Sequence, residues 1–494
     1  MAFARLIELV VPTSATDTYS IITSVTLGLT GLLAYRVFLS PLRQIPGPFI
    51  CRMTSLWMYY HSYIGDDCSL IDELHKKYGP VVVISPREVS ISDRTALMPI
   101  YSDKGGFIKA PCYSNFDIEG HKTIFSTRDP AHRAVRSKAV LPMFSMANIR
   151  AGSGAIETSA NKLVAKLREE ALRSRKTCRS VNVLNLARSL AIDAACAYLF
   201  GKSYGGIDED VESMTANAFV DALVAVGRLF FMPTWFFLLI EETRLKYFLT
   251  KEEVDSTESV HGFADQVVRE SEKSDLTYQG RLLKAGISLE ETEVQCKDLI
   301  FAGTDSTGNN FATLCWFLAK YPDIHKRLRD EIAEAEANDP NYLITTLRYL
   351  DAVVREGLRL SMANPTRFPR EVPPQGWNFT AFNGQQFHFP AKTVVGVQPF
   401  TLHLNPEVFP EPLLFKPERW LDATPEMQRD WIPFGQGARQ CIARNLATAE
   451  LLYATRAVVR DGVLEGAKPA KDEIERIQWF NSRVVGDKIE LIWA

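Results

Sequence analysis

Pro433-Phe434-Gly435-Gln436-Gly437-Ala438-Arg439-Gln440-Cys441-Ile442-Ala443-Arg444-Asn445-Leu446-Ala447 decides how the rest of this chain reads. A glycine-rich loop carries a cysteine into a strong helix former, Leu446 to Leu452. A cysteine just ahead of a helix start feels the positive end of the helix dipole, and free backbone N–H groups there favour its thiolate. Gly435 and Gly437 permit the tight backbone that turns such groups inward. A thiolate held this way is a soft metal ligand, haem iron included. The plain alternative for any one Cys is a small buried hydrophobe, which suits most of the other seven.

A second stretch breaks its own pattern. Ser288-Leu289-Glu290-Glu291 has the form of a capping box, and helical periodicity then runs to about Lys320, where Tyr321-Pro322 stops it. In its middle, Gly303 to Asn310 (GTDSTGNN) carries no aliphatic side chain, between the apolar runs Leu299–Ala302 and Leu314–Leu318. Two glycines cost about 1 kcal/mol each in a helix interior, and a buried Asp is costly unless partnered. Such rule-breaking belongs to functional sites; a polar groove on a solvated face is the alternative.

The chain has 494 residues, 46% hydrophobic and 23% charged, enough for a large core. Its 56 Lys+Arg against 59 Asp+Glu leave a net charge of −3, which excludes nucleic acid as the main partner. Eight cysteines without a CxxC pair fit a reducing compartment and no structural zinc. Length alone suggests about three domains, yet no repeat or linker follows residue 50. Pro80 to Asp93 reads as two short strands around a turn, and short strands return between Trp377 and Phe400 and near Val484 to Trp493. The expected fold is mostly α with small β-sheets (α+β), in one catalytic body over residues 51–494.

Tyr19 to Leu39 is 21 residues long with Arg36 as its one charge. As a helix it spans about 31 Å, close to the hydrocarbon thickness of a bilayer. Basic residues follow it rather than precede it, against a cleaved signal peptide. The positive side places residues 1–18 in the lumen, 19–39 across the membrane, 40–50 as a proline-rich hinge and the body in the cytosol. The sequon Asn378-Phe379-Thr380 is then expected to stay unmodified.

Phe434-x-x-Gly437-x-Arg439-x-Cys441 resembles the cysteine-ligand signature of the cytochrome P-450 family, the haem-thiolate monooxygenases. Glu356-Gly357-Leu358-Arg359 resembles its ExxR element, Phe415 to Trp420 its PERF/W element, and Ala302 to Thr307 its oxygen-activation helix. The anchor followed by Pro46-Gly47-Pro48 is similar to microsomal members, and the style to fungal enzymes of secondary metabolism. The resemblance covers essentially the whole chain. It implies the cytochrome P-450 fold and haem b with Cys441 as axial thiolate. Phe434 and Ala443, the latter where relatives have Gly, would lie at the haem; Arg439, Arg370, Arg136 and His132, the last in place of a usual Trp, would hold the propionates. Glu356, Arg359 and Arg419 would form a structural salt-bridge network.

The implied reaction inserts one oxygen atom of O2, by hydroxylation or epoxidation, into a lipophilic small molecule. NADPH-derived electrons would come from NADPH–cytochrome P-450 reductase at the endoplasmic reticulum membrane, with a b-type cytochrome as a further donor. Asp305 and Ser306, with Thr307 the next hydroxyl, would relay protons. Phe301, Ala302, Pro365 and Phe368 would face substrate. Leu229 to Leu238, markedly aromatic, reads equally as core or as a membrane-facing entrance. Two other functions stay open: reductase-independent rearrangement or dehydration on the same haem, and a non-catalytic haem-binding membrane protein.

Overall fold

The computed structural model describes residues 15–493 apart from 103–104; most of the proposed lumenal segment, 1–14, lies outside them. In chain order, the helices that build the site and its supports are α1 (Ala15–Ala34), α2 (Pro130–Val140), α3 (Val183–Phe200), α4 (Thr234–Tyr247), α5 (Leu289–Lys320), α6 (Arg348–Ser361) and α7 (Arg444–Arg460). The main sheet has β1 (Val81–Ser85), β2 (Glu88–Ile91), β3 (Ile108–Lys109), β4 (Arg370–Glu371) and β5 (Val394–Gly396), in the order β1-β2-β5-β4-β3. The molecule is mostly helical with small sheets, as expected.

α5 is 32 residues long, about 48 Å at 1.5 Å per residue. Ser288 caps it by accepting from the Glu291 amide at 3.2 Å. The reciprocal half of the capping box is replaced, because the Glu291 carboxylate turns to Arg136. The polar stretch in its middle is no solvated groove: Thr304, Asp305, Thr307, Gly308, Asn309 and Asn310 are all buried. α3 explains one of the glycines. A Cβ on Gly308 would stand 2.9 Å from the Arg188 Cα, so its absence lets α5 and α3 cross closely. The apolar faces of α3, α5, α6 and α7 share one large core.

A second core fills one side of the main sheet, with Val81, Val83, Val89, Ile91 and Val395 inside. Leu42 and Ile45 join it, and the Val83 amide donates to Pro46 O at 2.8 Å. The proline segment is therefore docked on the body, not a free joint. α1 and the turn Tyr35–Leu39 project from it. Tyr19–Leu39 is apolar and unburied, whereas the equally apolar Val183–Phe200 is 83% buried as a core helix.

Candidate active site

The cysteine loop is closed by its own backbone: the Cys441 amide donates to Phe434 O at 2.8 Å. Gly437 has φ +72°, and a Cβ there would lie 1.8 Å from Tyr101 O, so only glycine lets the loop seat against this neighbour. Cys441 stands three residues before α7 begins at Arg444. The Ala443 amide and Arg444 pull its thiol down, in the sense expected of a helix start, but burial is the larger influence and leaves it above the ordinary value. Its surface is nonetheless open.

Sheet register supplies the positive charge. Lys109 on β3 pairs directly with Arg370 on β4, and opposed residues of an antiparallel pair share a face. Lys109 is 5% exposed, lies between the Tyr113 and Phe125 rings at 4.0 and 3.9 Å, and donates to Phe125 O at 2.6 Å. Arg370, also 5% exposed, donates to Tyr113 Oη at 3.2 Å and to Pro369 O. Arg439 donates to Phe125 O and Thr127 O. Burial and mutual repulsion push Lys109 well below its ordinary value, and burial, with repulsion from Arg133 and Arg370, pushes Arg439 down to about 9. Among the described residues none of the three has a salt bridge to a carboxylate. Such a cluster is costly as it stands and fits a dianionic group held beside Cys441.

Arg136 and His132 are not brought into this cluster. Arg136 forms a bidentate pair with Glu291, with Nη2 to Oε2 at 2.7 Å, and His132 Nε2 lies 3.6 Å from the same carboxylate. Lys109 is not legible as a member of this cluster in the sequence, because nothing in a two-residue strand announces its partner some 260 residues later.

On α5, one face is open and the other shut. Ala302 is exposed and Phe301 and Ser306 are half-buried, while their neighbours Thr304, Asp305 and Thr307 are buried. Ser306 Oγ donates to Ala302 O at 2.7 Å. Asp305 points away from the open face: Asn481 Nδ2 donates to its Oδ2 at 2.9 Å, and Arg188 Nη2 stands 3.5 Å from Oδ1. Burial raises its carboxyl above the usual range. Thr307 turns to Glu450 of α7, which burial lifts to about 8 against the pull of that hydrogen bond. Of the four expected substrate-facing residues, Phe368 lies half-buried near Gly435, whereas Pro365 is buried, its carbonyl accepting from the Phe400 amide.

Glu356 and Arg359 are both fully buried and joined by two hydrogen bonds of 2.9 and 2.8 Å. Arg419 Nε, the Lys416 amide and Trp420 Nε1 all donate to the same carboxylate, at 3.0, 3.0 and 2.9 Å. Arg359 also donates to His403 O and Pro412 O. The network ties α6 to the irregular chain that leads to the cysteine loop.

The sequence profile of the cytochrome P450 family matches residues 46–465. The chain is a cytochrome P450. A protein named cytochrome P450 monooxygenase mfmF, from Annulohypoxylon moriforme, is 35% identical over 499 positions, covering 96% of this chain and 99% of that protein. Cytochrome P450 monooxygenase oblB of Emericella variicolor is 31% identical, covering 88% of this chain and 84% of its own length. One named tazI, from Aspergillus terreus, is 30% identical over 85% of this P450 and 86% of itself. The family implies haem ligated by thiolate, and electrons delivered by a redox partner.

Proposed function

We propose that this P450 is a membrane-anchored monooxygenase that inserts one oxygen atom into a lipophilic small molecule of secondary metabolism. The observation that carries the reading is the convergence of an open cysteine with three unpaired, buried or half-buried cations. Haem b fits this pocket: Cys441 would ligate its iron, with Arg439, Arg370 and Lys109 on its propionates. Bound there, the haem supplies O2 activation, which electrons from a reductase using NADPH would drive. Because the free thiol is raised, ligation would release a proton, so haem binding strengthens as pH rises toward the thiol's own range.

The chain's own part is positioning and proton supply. Ser306 is the hydroxyl on the open face of α5, so on turning from Ala302 O it would be the donor that meets the reacting centre; Thr307, turned to Glu450, would not. Asp305 is the adjoining acid, and its proton reaches Ser306 only if its side chain leaves Asn481 and Arg188. Phe301, Ala302 and Phe368 bound the space in which substrate is held. The retained Asp305–Ser306 pair favours oxygen insertion over rearrangement or dehydration.

Tyr19–Leu39 is the proposed anchor, with the body in the cytosol at the endoplasmic reticulum. The stretch from Leu229 divides: Leu229, Phe230 and Phe237 are core, while Trp235 is 70% exposed and Leu238 and Leu239 lie open beside it on α4. Exposed Leu56 and Tyr60, on the helix whose Tyr63 lies under Arg228, add to this apolar surface. Both would rest on the bilayer and admit lipophilic substrate. An endoglycosidase digest of native protein is expected to leave its mobility unchanged; a shift at Asn378 would reverse the orientation.

The reduced protein under carbon monoxide is expected to give the red-shifted thiolate-type band, absent from Cys441→Ser. A wild-type band typical of histidine ligation would overturn the assignment. Consumption of NADPH and O2 by reductase-coupled protein separates oxygen insertion from the rearranging alternative.

A further inference from the structure

The neck between α1 and the body carries fixed charge of one sign only. From Thr18 to Gly65 the sequence holds three arginines, Arg36, Arg43 and Arg52, and no Lys, Asp or Glu. The chain folds these three together. Arg36 Nη1 donates to Met53 O at 2.6 Å, which ties the turn Tyr35–Leu39 to the short helix Phe49–Met53. Arg52 reaches the other way, to Arg43 O and, at 2.8 Å, to Ile45 O. Arg43 Nη1 folds back on Phe38 O at 2.9 Å.

Each of these bonds ends on a backbone carbonyl, and among the described residues no carboxylate pairs with any of the three. A guanidinium has five N–H donors, so most of their donor capacity is left for another partner. Arg43 is exposed and Arg36 and Arg52 are half-buried, so that partner can reach them. What lies beside the arginines gives its chemistry. Phe38 and Leu39, at the end of the apolar span, are 69% and 66% exposed, and Phe49 is 62% exposed. Large apolar side chains gathered in this way mark a contact surface rather than ordinary scatter. Apolar groups that suit acyl chains, set among guanidiniums that suit anions, match the two halves of a phospholipid. A zwitterionic headgroup brings its own cation and leaves the cluster uncompensated, whereas a headgroup of net negative charge completes it. Arg at all three positions also favours phosphate, which the guanidinium fork meets with two parallel hydrogen bonds.

We propose that Arg36, Arg43 and Arg52 form a binding site for the phosphate of an anionic glycerophospholipid in the cytosolic leaflet, whose acyl chains lie against Phe38, Leu39 and Phe49. The backbone ties hold the guanidiniums in place, so the site is formed before the lipid arrives. This inference rests on the membrane anchor proposed above, and its test separates the two.

The haem-loaded full chain is reconstituted in phosphatidylcholine bilayers. Electron paramagnetic resonance of spin-labelled phosphatidic acid or phosphatidylcholine then gives the fraction of each lipid that the protein holds. Wild type is expected to stay in the bilayer through an alkaline carbonate wash and to hold phosphatidic acid at least about fivefold more strongly than phosphatidylcholine. Arg43→Gln/Arg52→Gln is expected to stay inserted, to keep the thiolate-type carbon monoxide band and to lose that preference. Arg43→Lys/Arg52→Lys keeps the charge without the fork and is expected to lose at least about half of it. Lys176→Gln/Arg179→Gln, exposed at the end of the remote helix Ser153–Thr177, is expected to keep all of it. Excess inorganic phosphate, against chloride of equal ionic strength, is expected to leave the wild-type preference standing, because it brings no acyl chain to Phe38 and Phe49. Inserted wild type without the preference, full preference in the Gln or the Lys variant, or its loss in the remote variant would overturn the lipid site alone. Collapse under phosphate would also overturn it, in favour of a soluble anion. Wild type washed from the bilayer would overturn the anchor, and the site with it.

Discussion

Two clusters of buried charge brace this P450, and they obey opposite rules. Around Glu356 one carboxylate meets two guanidiniums, and backbone carbonyls at His403, Pro412 and Pro410 take further guanidinium N–H groups. Around Lys109, three cations share one wall; among the described residues their hydrogen bonds go to carbonyls and a phenol, with no salt bridge to a carboxylate, although Asp298 draws on Lys109 from a distance. The first cluster is complete in the polypeptide. The second is held in place by strand register and by the cysteine loop, and is electrically unfinished until an anion enters. On the function proposed above, the first would serve folding and the second the assembly of the haem site.

Breaking the first should cost most. Glu356→Ala leaves two buried guanidiniums without their carboxylate, and a loss of about 3–5 kcal/mol is expected in urea unfolding. A variant that folds as stably as wild type would erase the distinction between the clusters. In the second, Arg439→Gln removes one charge-assisted hydrogen bond to the bound anion, worth about 1.5–3 kcal/mol. Haem transfer to an apomyoglobin acceptor should then quicken by about 10- to 100-fold, while the haem-free chain unfolds at the same or a higher urea concentration. Equal destabilisation of the haem-free chain by both variants would show that Arg439 is a folding element like Glu356.

Glu450 sharpens the comparison with a lone buried acid. Its carboxyl sits at about 8 when folded, against about 4.3 in an unfolded chain. Between those values the folded state holds a proton that the unfolded state has lost, so stability falls as pH rises through this window and the penalty is complete above pH 8. Relative to wild type, Glu450→Gln is expected to gain about 3 kcal/mol more stability at pH 8 than at pH 5. A pH-independent difference would place the Glu450 proton elsewhere.

The elements legible in the sequence are those whose partners lie close along the chain. Glu356 and Arg359 are three residues apart on one helix, and the Phe434-to-Cys441 loop closes on itself. The cap at Ser288, the strands of Pro80 to Asp93 and the apolar span at Tyr19–Leu39 were legible for the same reason. Arg136 shows the limit: its position on α2 was readable, but its pairing with Glu291 depends on how α2 packs against the start of α5. Thr307 stands in the sequence as the next hydroxyl after Ser306, and only the rotation of α5 shows that it turns to Glu450.

The sequence by itself determined the family of this protein, the cysteine proposed as haem ligand and the Glu356–Arg359 pair, because short spacings on helices and tight loops leave few geometries. Only the tertiary structure decided that Lys109 joins Arg370 and Arg439, that the proline segment docks on β1, and that Arg136 pairs with Glu291. Strand register and helix rotation are set by the burial of apolar faces far apart in the chain. A charged side chain is carried to its neighbours by that packing, and its own residue type does not name them.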